Sequence, residues 1–397
     1  MSEEGMTTAQ PRLLIAANSF EAVGGVETSV LPWLDEALER GCEIEFVLCR
    51  VHGERADLIE EKEIPVFFHR LYWHVRGIQI PNPLGIWNLS RRVRRGGYDS
   101  IVCLQPPSHY FVRLAILISG SRPRVVAMEQ LSYRDRRACY VGLDRTLSGI
   151  TDLFLCVSES LRREFLERSQ LPSAKALAIP HGISIPGGKG DPDPELAKAL
   201  KGRFVVGCVA RLAEEKRQRF LVECFVRFAR SRGDRPVLLL VGDDREDPDL
   251  VTEIARRGLA EDVFVLGHRD DILGIYALLD LIVLPSVVEG FGLTWAEAMA
   301  HGIPVVTTRI APMTEFIREG ETGLFFEPDD EGSLEACLER LARDPSKRES
   351  LGKCGREFVK RELDPIRQRR KYVNAFLGKS EEGSENLPLE NETGATK

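Results

Sequence analysis

Short runs rich in Val, Ile and Leu recur along this chain, and stretches of helical periodicity separate most of them. Runs at 12–17, 43–49, 65–69, 100–104, 124–128, 153–157 and 175–179 form one series. Runs at 204–210, 237–241, 263–266, 281–284, 303–307 and 324–327 form a second. Helical stretches at 26–40, 83–95, 110–119, 159–169 and 217–232 lie between them. Strands buried on both faces read as continuous apolar runs, and such strands belong to parallel sheets covered by helices on both sides. Two series predict an α/β chain of two doubly wound units. Gly187-Gly188-Lys189-Gly190-Asp191-Pro192-Asp193-Pro194 separates them and has the composition of a linker. The expected division is a disordered 1–10, a first domain at 11–186, a linker at 187–200 and a second domain at 201–363. The stretch 331–377 reads as helical and amphipathic, and residues 379–397 lack the apolar content to fold.

A length of 397 residues suffices for two cores. No apolar run reaches the ~20 residues of a spanning helix, since the best candidate, 111–120, is broken by Arg113. The first ten residues are polar and acidic without the apolar stretch of a signal peptide. Nine cysteines without a Cys-x-x-Cys pair fit a reducing cytosol, and seven histidines show no metal-ligand spacing. Asp247-Pro248-Asp249 reads as a loop and helix start rather than a metal motif. Charge is uneven. Residues 1–190 carry 23 Lys+Arg against 22 Asp+Glu, and residues 191–397 carry 31 against 39. Residues 65–150 hold 13 Arg and no Lys against four acids, Asp99, Glu129, Asp135 and Asp144. Such a window is either a solvated face or an attractor for an anionic membrane surface or a phosphate-bearing acceptor. No recognised nucleic-acid module accompanies it, so nucleic acid is not an expected partner.

The densest functional signal runs from Pro285 to Pro304. An apolar run ends at Pro285-Ser286, Glu289-Gly290-Phe291-Gly292 follows, and Leu293, Ala296, Met299 and Ala300 recur at helical spacing. Gly290 and Gly292 let the backbone turn and approach a ligand. The helix beginning near Gly292 turns its free N–H groups toward the loop, a natural anion site. Glu289 falls at a strand's carboxyl end, where open α/β sheets bind ligands. Glu297, one turn into the helix, can accept hydrogen bonds from a vicinal diol such as a ribose. The pattern fits a phosphorylated, hydroxyl-rich ligand.

Two further stretches belong beside it. Arg211-Leu212-Ala213-Glu214-Glu215-Lys216 follows the strand run 204–210, so an arginine and a lysine can converge on one diphosphate. Gly24-Gly25-Val26-Glu27 opens the first helix, but it is not the Gly-x-Gly-x-x-Gly of a dinucleotide-binding dehydrogenase.

In order and spacing, Gly24-Gly25-Val26-Glu27, Ile179-Pro180-His181-Gly182-Ile183, Arg211-x4-Lys216, Glu289-x7-Glu297 and Glu321-Thr322-Gly323-Leu324 resemble the retaining glycosyltransferase family 4 (glycosyl transferases group 1). The resemblance covers about residues 12–375. It implies a GT-B fold, with two Rossmann-like domains facing across a cleft and a last helix, 364–378, crossing back to the first. It implies a nucleotide-sugar donor held by the second domain, with no metal or other cofactor required. Arg211 and Lys216 would neutralise the diphosphate, and Glu297 would hold the ribose. Glu289 would contact the donor sugar, Gly290, Phe291, Gly292 and Leu293 would present backbone N–H groups, and Gly24 and Gly25 would approach the phosphates from the opposite domain. The arginine-rich window at 65–150 adds the expectation of a membrane-linked acceptor, a lipid-linked glycan or polysaccharide precursor, at the inner membrane face. The chain departs from the family pattern at Glu129-Gln130, where many relatives place a histidine, and at Ala311-Pro312-Met313-Thr314-Glu315, where the glutamate survives without its glycines. Glu129, Gln130 and His109, which follows the strand run 100–104, are the candidates for sugar or acceptor contact. A GT-B epimerase or phosphorylase, or a catalytically silent sugar-nucleotide binder, remains as the alternative.

Overall fold

A computed structural model describes residues 10–379 apart from 21–24, 52, 54–55, 76–77, 134–135, 189, 231 and 244–246. The tail expected to be disordered, residues 380–397, lies outside the described residues, as do residues 1–9. The strands are β1 (Arg12–Ala17), β2 (Glu43–Leu48), β3 (Val66–Phe68), β4 (Tyr72–Val75), β5 (Ile78–Pro81), β6 (Ser100–Cys103), β7 (Arg124–Glu129), β8 (Leu153–Cys156) and β9 (Ala176–Ala178), then β10 (Val205–Val209), β11 (Val237–Val241), β12 (Val263–Gly267), β13 (Leu281–Leu284), β14 (Val305–Thr308) and β15 (Gly323–Phe326). The first sheet runs β3-β2-β1-β6-β7-β8-β9 and the second β12-β11-β10-β13-β14-β15. Every pairing within each is parallel. Both sheets reverse their winding at the first strand, between β1 and β6 and between β10 and β13. Crevices at such reversals, outside the strands' carboxyl ends, are where doubly wound sheets bind ligands.

The two units share a buried apolar cluster. Phe154, Leu161 and Phe165 of the first meet Phe291, Trp295 and Phe316 of the second within it. The helix Pro365–Leu377 crosses back onto the first unit. Tyr372 stacks on Trp33 with ring centres 4.1 Å apart and donates a 2.7 Å hydrogen bond to the carbonyl of Ile179. His181 sits at this junction between Trp33, Tyr372 and Phe291. A Cβ on Gly182 would lie 2.6 Å from Pro365 Cα, so the position after His181 is glycine to admit the close approach of the crossing helix.

The structure adds detail in four places. The stretch 331–377 is three helices, Glu331–Arg343, Pro345–Glu362 and Pro365–Leu377. Pro345 and Pro365 cannot continue a preceding helix, and Asp344 and Asp364 cap the new ones through the amides of Lys347 and Arg367. The linker 187–200 contains the helix Pro194–Leu200, capped by Asp193. The helix expected from residue 110 begins at Ser108 and carries His109 in its first turn. Between β3 and the helix Pro83–Gly96 stands a two-stranded antiparallel ribbon, β4–β5, that the periodicity did not announce. Among the described residues no helix is long and apolar enough to cross a membrane.

Candidate functional site

The reversal in the second sheet places the loops after β10 and β13 side by side. Arg211 follows β10 and is half exposed, with Glu215 3.3 Å away. Lys216 ends a single 3-10 turn, Glu214–Lys216, and Arg217 behind it takes a left-handed φ of 55°. The Lys216 ammonium lies 2.6 Å from Oε1 of Glu289, and both side chains are less than a fifth exposed. A further backbone bond, Val287 N–H to the Glu215 carbonyl at 3.0 Å, stitches the two loops. The structure thus brings Arg211, Lys216 and Glu289 to one edge. It also gives Glu289 a partner that the sequence reading assigned to the diphosphate alone.

Gly292 opens the helix Leu293–Ala300 at φ 77°, which strains any residue with a Cβ. A Cβ there would lie 3.4 Å from the carboxyl carbon of Glu289. Thr294 fastens the helix start to the first strand by donating 3.0 Å to the carbonyl of Val209. Phe291 is buried and packs against His181, Trp295 and Phe316, so its side chain anchors the loop and leaves only backbone for a ligand. Leu293 is partly buried against the shared core. Gly25 begins the first helix, Gly25–Glu39, at the carboxyl end of β1, while Gly24 lies outside the described residues.

Glu297 accepts a 2.9 Å hydrogen bond from the phenol of Tyr276. Burial raises the carboxyl's pKa, and the Tyr276 bond only partly opposes that shift. Tyr276, on the short helix Ile272–Tyr276, was invisible to motif reading because its partner is 21 residues away on another helix.

Gly290 has a different reason to be glycine than ligand approach. A Cβ there would lie 1.9 Å from the backbone oxygen of Gln130, in the opposite unit. Ser158 donates to the Gly290 carbonyl at 3.0 Å across the same junction. Gln130 itself turns its amide to the Leu104 carbonyl at 3.1 Å. Glu315, the glutamate that survives without its glycines, accepts from the backbone N–H groups of Glu159 and Ser160, each at 2.9 Å. It thereby occupies the N-terminus of the helix Glu159–Ser169, where a carboxylate is favoured. The loops after β13 and β14 are thus held by the facing unit.

His109 and Glu129 do not face the cleft. Both are fully buried, which corrects their reading as sugar or acceptor contacts. Arg136 grips Glu129 with both its terminal nitrogens, and Arg113 holds Asp144 at 2.6 Å. Burial, then the charges of Arg113 and Arg136, pushes the His109 imidazole well below its usual pKa. Among the described residues, His109, Glu129 and Asp144 are the group whose metal-ligating atoms lie within 4.8 Å of one another. Two guanidiniums already balance the two carboxylates there, so a divalent ion would bring uncompensated charge. The arginine-rich window is likewise divided. Arg113 and Arg136 are interior, Arg92 pairs with Glu45, and Arg124 donates to the carbonyl of Ala375.

The profile of the Glycosyltransferase Family 4 matches residues 23–185, and that of the Glycosyl transferases group 1 matches residues 194–358. The chain is 29% identical to the capsular polysaccharide biosynthesis glycosyltransferase CapM of Staphylococcus aureus over 46% of its own length, and spans about half, 49%, of that relative. It is 26% identical to EpsF of Bacillus subtilis over 90% of itself and 93% of the relative. Among solved structures it resembles HepE of Anabaena, in complex with UDP and glucose, with a TM-score of 0.78 at 21% identity, covering 92% of this chain and 99% of that one. That likeness gives both parallel-sheet units the arrangement of a GT-B fold.

Proposed function

We propose that this chain, which belongs to the family 4, group 1 glycosyltransferases, moves a sugar from a nucleotide diphosphate sugar to an acceptor hydroxyl with retention at the anomeric carbon. The observation that carries this reading is the meeting of Arg211, Lys216 and Glu289 at the β10/β13 reversal, with the amides of the helix Leu293–Ala300 opening onto the same edge. Breaking the anomeric carbon–oxygen bond leaves charge on the departing diphosphate. Lys216, Arg211 and those amides are placed to balance it without a metal ion. Glu297, on the same helix, receives the ribose hydroxyls. Glu289, ion-paired to Lys216, is assigned to contact with the donor sugar and not to nucleophilic attack. In the retaining step we assign, the acceptor attacks from the face the phosphate leaves, and the departing phosphate oxygen takes the acceptor's proton.

HepE was solved with UDP and glucose and CapM acts in capsular polysaccharide biosynthesis. These support a uridine donor and a glycan acceptor, here a lipid-linked glycan or polysaccharide precursor at the cytoplasmic membrane face. The test is release of nucleoside diphosphate that depends on added acceptor and persists in EDTA. A parallel thermal-shift panel of UDP, GDP and ADP identifies the base, because a ligand at about 100 times its Kd stabilises by about 2.7 kcal/mol. Stabilisation by none of the three would overturn the donor reading, and loss of release in EDTA would overturn metal independence.

A further inference from the structure

The ribbon β4–β5 carries an apolar face that nothing in the described chain covers. Trp73 lies opposite Ile80 and Val75 opposite Ile78, and residues two apart on a strand share a face. These four side chains therefore form one apolar surface, and each is 41–56% exposed. The ribbon is not loosely hung. Tyr72 is buried, stacks on Phe111 with ring centres 5.1 Å apart and donates 2.9 Å to Asn18, just beyond β1.

The element that follows directly in the chain, the helix Pro83–Gly96, carries exposed apolar side chains as well. Leu84 and Trp87 are exposed at 65% and 48%, while Ile86, Leu89 and Val93 take the inward face. Arg91 and Arg95, one and two turns beyond Trp87, complete the outer stripe and are exposed. The Arg91 guanidinium stands 4.6 Å over the Trp87 ring. Arg94 bonds the Ser119 carbonyl at 2.7 Å, which brings exposed Leu117 and Ile118 alongside. Between Glu63 and Asp99 the sequence has no acid and six arginines.

Exposed apolar side chains gathered on two consecutive elements mark an interaction site. Tryptophan and leucine flanked by arginine, with no acidic residue, is the composition of a segment lying in a lipid headgroup region. We propose that the β4–β5 ribbon and the outer face of the helix Pro83–Gly96 dock this chain on an anionic bilayer. This rests on the lipid-linked acceptor reading and gives it a place. The ribbon leaves the carboxyl end of β3, with the amide of Leu71 bonded to the Cys49 carbonyl just past β2. That is the cleft side of the first sheet, so a headgroup-borne acceptor meets the cleft rim.

The experiment is co-sedimentation of the full chain with phosphatidylcholine vesicles, with and without about a third phosphatidylglycerol, at low and high salt. Wild type should bind the mixed vesicles, less so in salt, with a blue shift in tryptophan emission. The shift reports this face because Trp73 and Trp87 are exposed whereas Trp33 and Trp295 are buried. W73S/I80S should weaken partition roughly ten-fold or more, as two apolar side chains lose their bilayer contact. R91E/R95E should remove the preference for phosphatidylglycerol, since each arginine near such a surface is worth roughly five-fold, about 1 kcal/mol. Stabilisation of both variants by UDP as in wild type shows that they fold. Absent vesicle binding, or variants that bind as wild type does, overturns the proposal. So does a wild-type dimer in sedimentation velocity that W73S/I80S dissolves, since it assigns the face to a second copy. UDP binding without vesicle binding would sink this inference and leave the donor site standing. Vesicle binding without any nucleotide response would do the reverse.

Discussion

Lys216→Ala separates the two partners of the pair at the donor edge. The ammonium and the Glu289 carboxylate stand 2.6 Å apart, each less than a fifth exposed. At an effective dielectric near 20 their gross attraction is about 6 kcal/mol, most of it offset by desolvation of both charges. Removing the lysine strips the partly buried Glu289 of its ion-pair partner, so the fold should lose about 1–2 kcal/mol. The larger effect is on turnover. A cation that balances the departing diphosphate is worth about 2–4 kcal/mol in the transition state, so kcat/KM should fall by ~10²–10³. Glu289→Gln makes the opposite perturbation. It frees the ammonium from a competing carboxylate, so nucleoside diphosphate affinity should hold or rise while transfer falls. The assay is acceptor-dependent diphosphate release, read beside ligand-induced thermal shift for both variants. Near-normal turnover and an unchanged UDP shift in Lys216→Ala would refute the reasoning. A weakened UDP shift in Glu289→Gln would show that the carboxylate holds Lys216 in position for the phosphates and does not compete with them.

Gly290→Ala puts a methyl 1.9 Å from the Gln130 carbonyl, backbone against backbone, whereas Gly188 has nothing within 4 Å of its Cβ direction. The first should lower stability by about 1–3 kcal/mol and the second by little, so equal melting temperatures would show that the domains do not meet as described. His181, walled in by Trp33, Tyr372 and Phe291, has its pKa lowered by burial to about 3 from its usual 6.5. The unfolded chain takes a proton there below pH 6.5 and the native one refuses it, so this stability is complete above pH 6.5 and lost as pH falls toward 3. Denaturant titrations should show a slope of up to ~1.4 kcal/mol per pH unit in that window, and His181→Phe should flatten it. An unchanged slope in the variant would mean that His181 accepts a proton in the native state.

Strands buried on both faces write themselves into a sequence as unbroken apolar runs, which is why both parallel sheets were legible and the half-exposed ribbon was not. The position of the residues at the β10/β13 edge was legible for a related reason. A strand end, a glycine and a helix start are local, so Arg211, Lys216, Glu289 and Glu297 could be placed from neighbours alone. What sequence proximity cannot carry is the identity of a distant partner. Glu129 and His109 read as open groups because their burial is set by the fold: Arg113, one turn along His109's own helix, and Arg136, seven residues past Glu129, turn inward onto Asp144 and Glu129. Gly290 read as a ligand contact because Gln130 is 160 residues away. The same blindness hid the physical unit of the site. Gly290 is seated by Gln130 and Ser158, and Glu315 caps a helix of the facing domain. The loop carrying Glu289 is therefore set by the closure of one domain on the other as much as by β13. A change that opens the junction releases Gly290 and so the loop that carries Glu289 to Lys216, and we expect it to lower nucleoside diphosphate affinity, so that binding and domain closure report on one equilibrium.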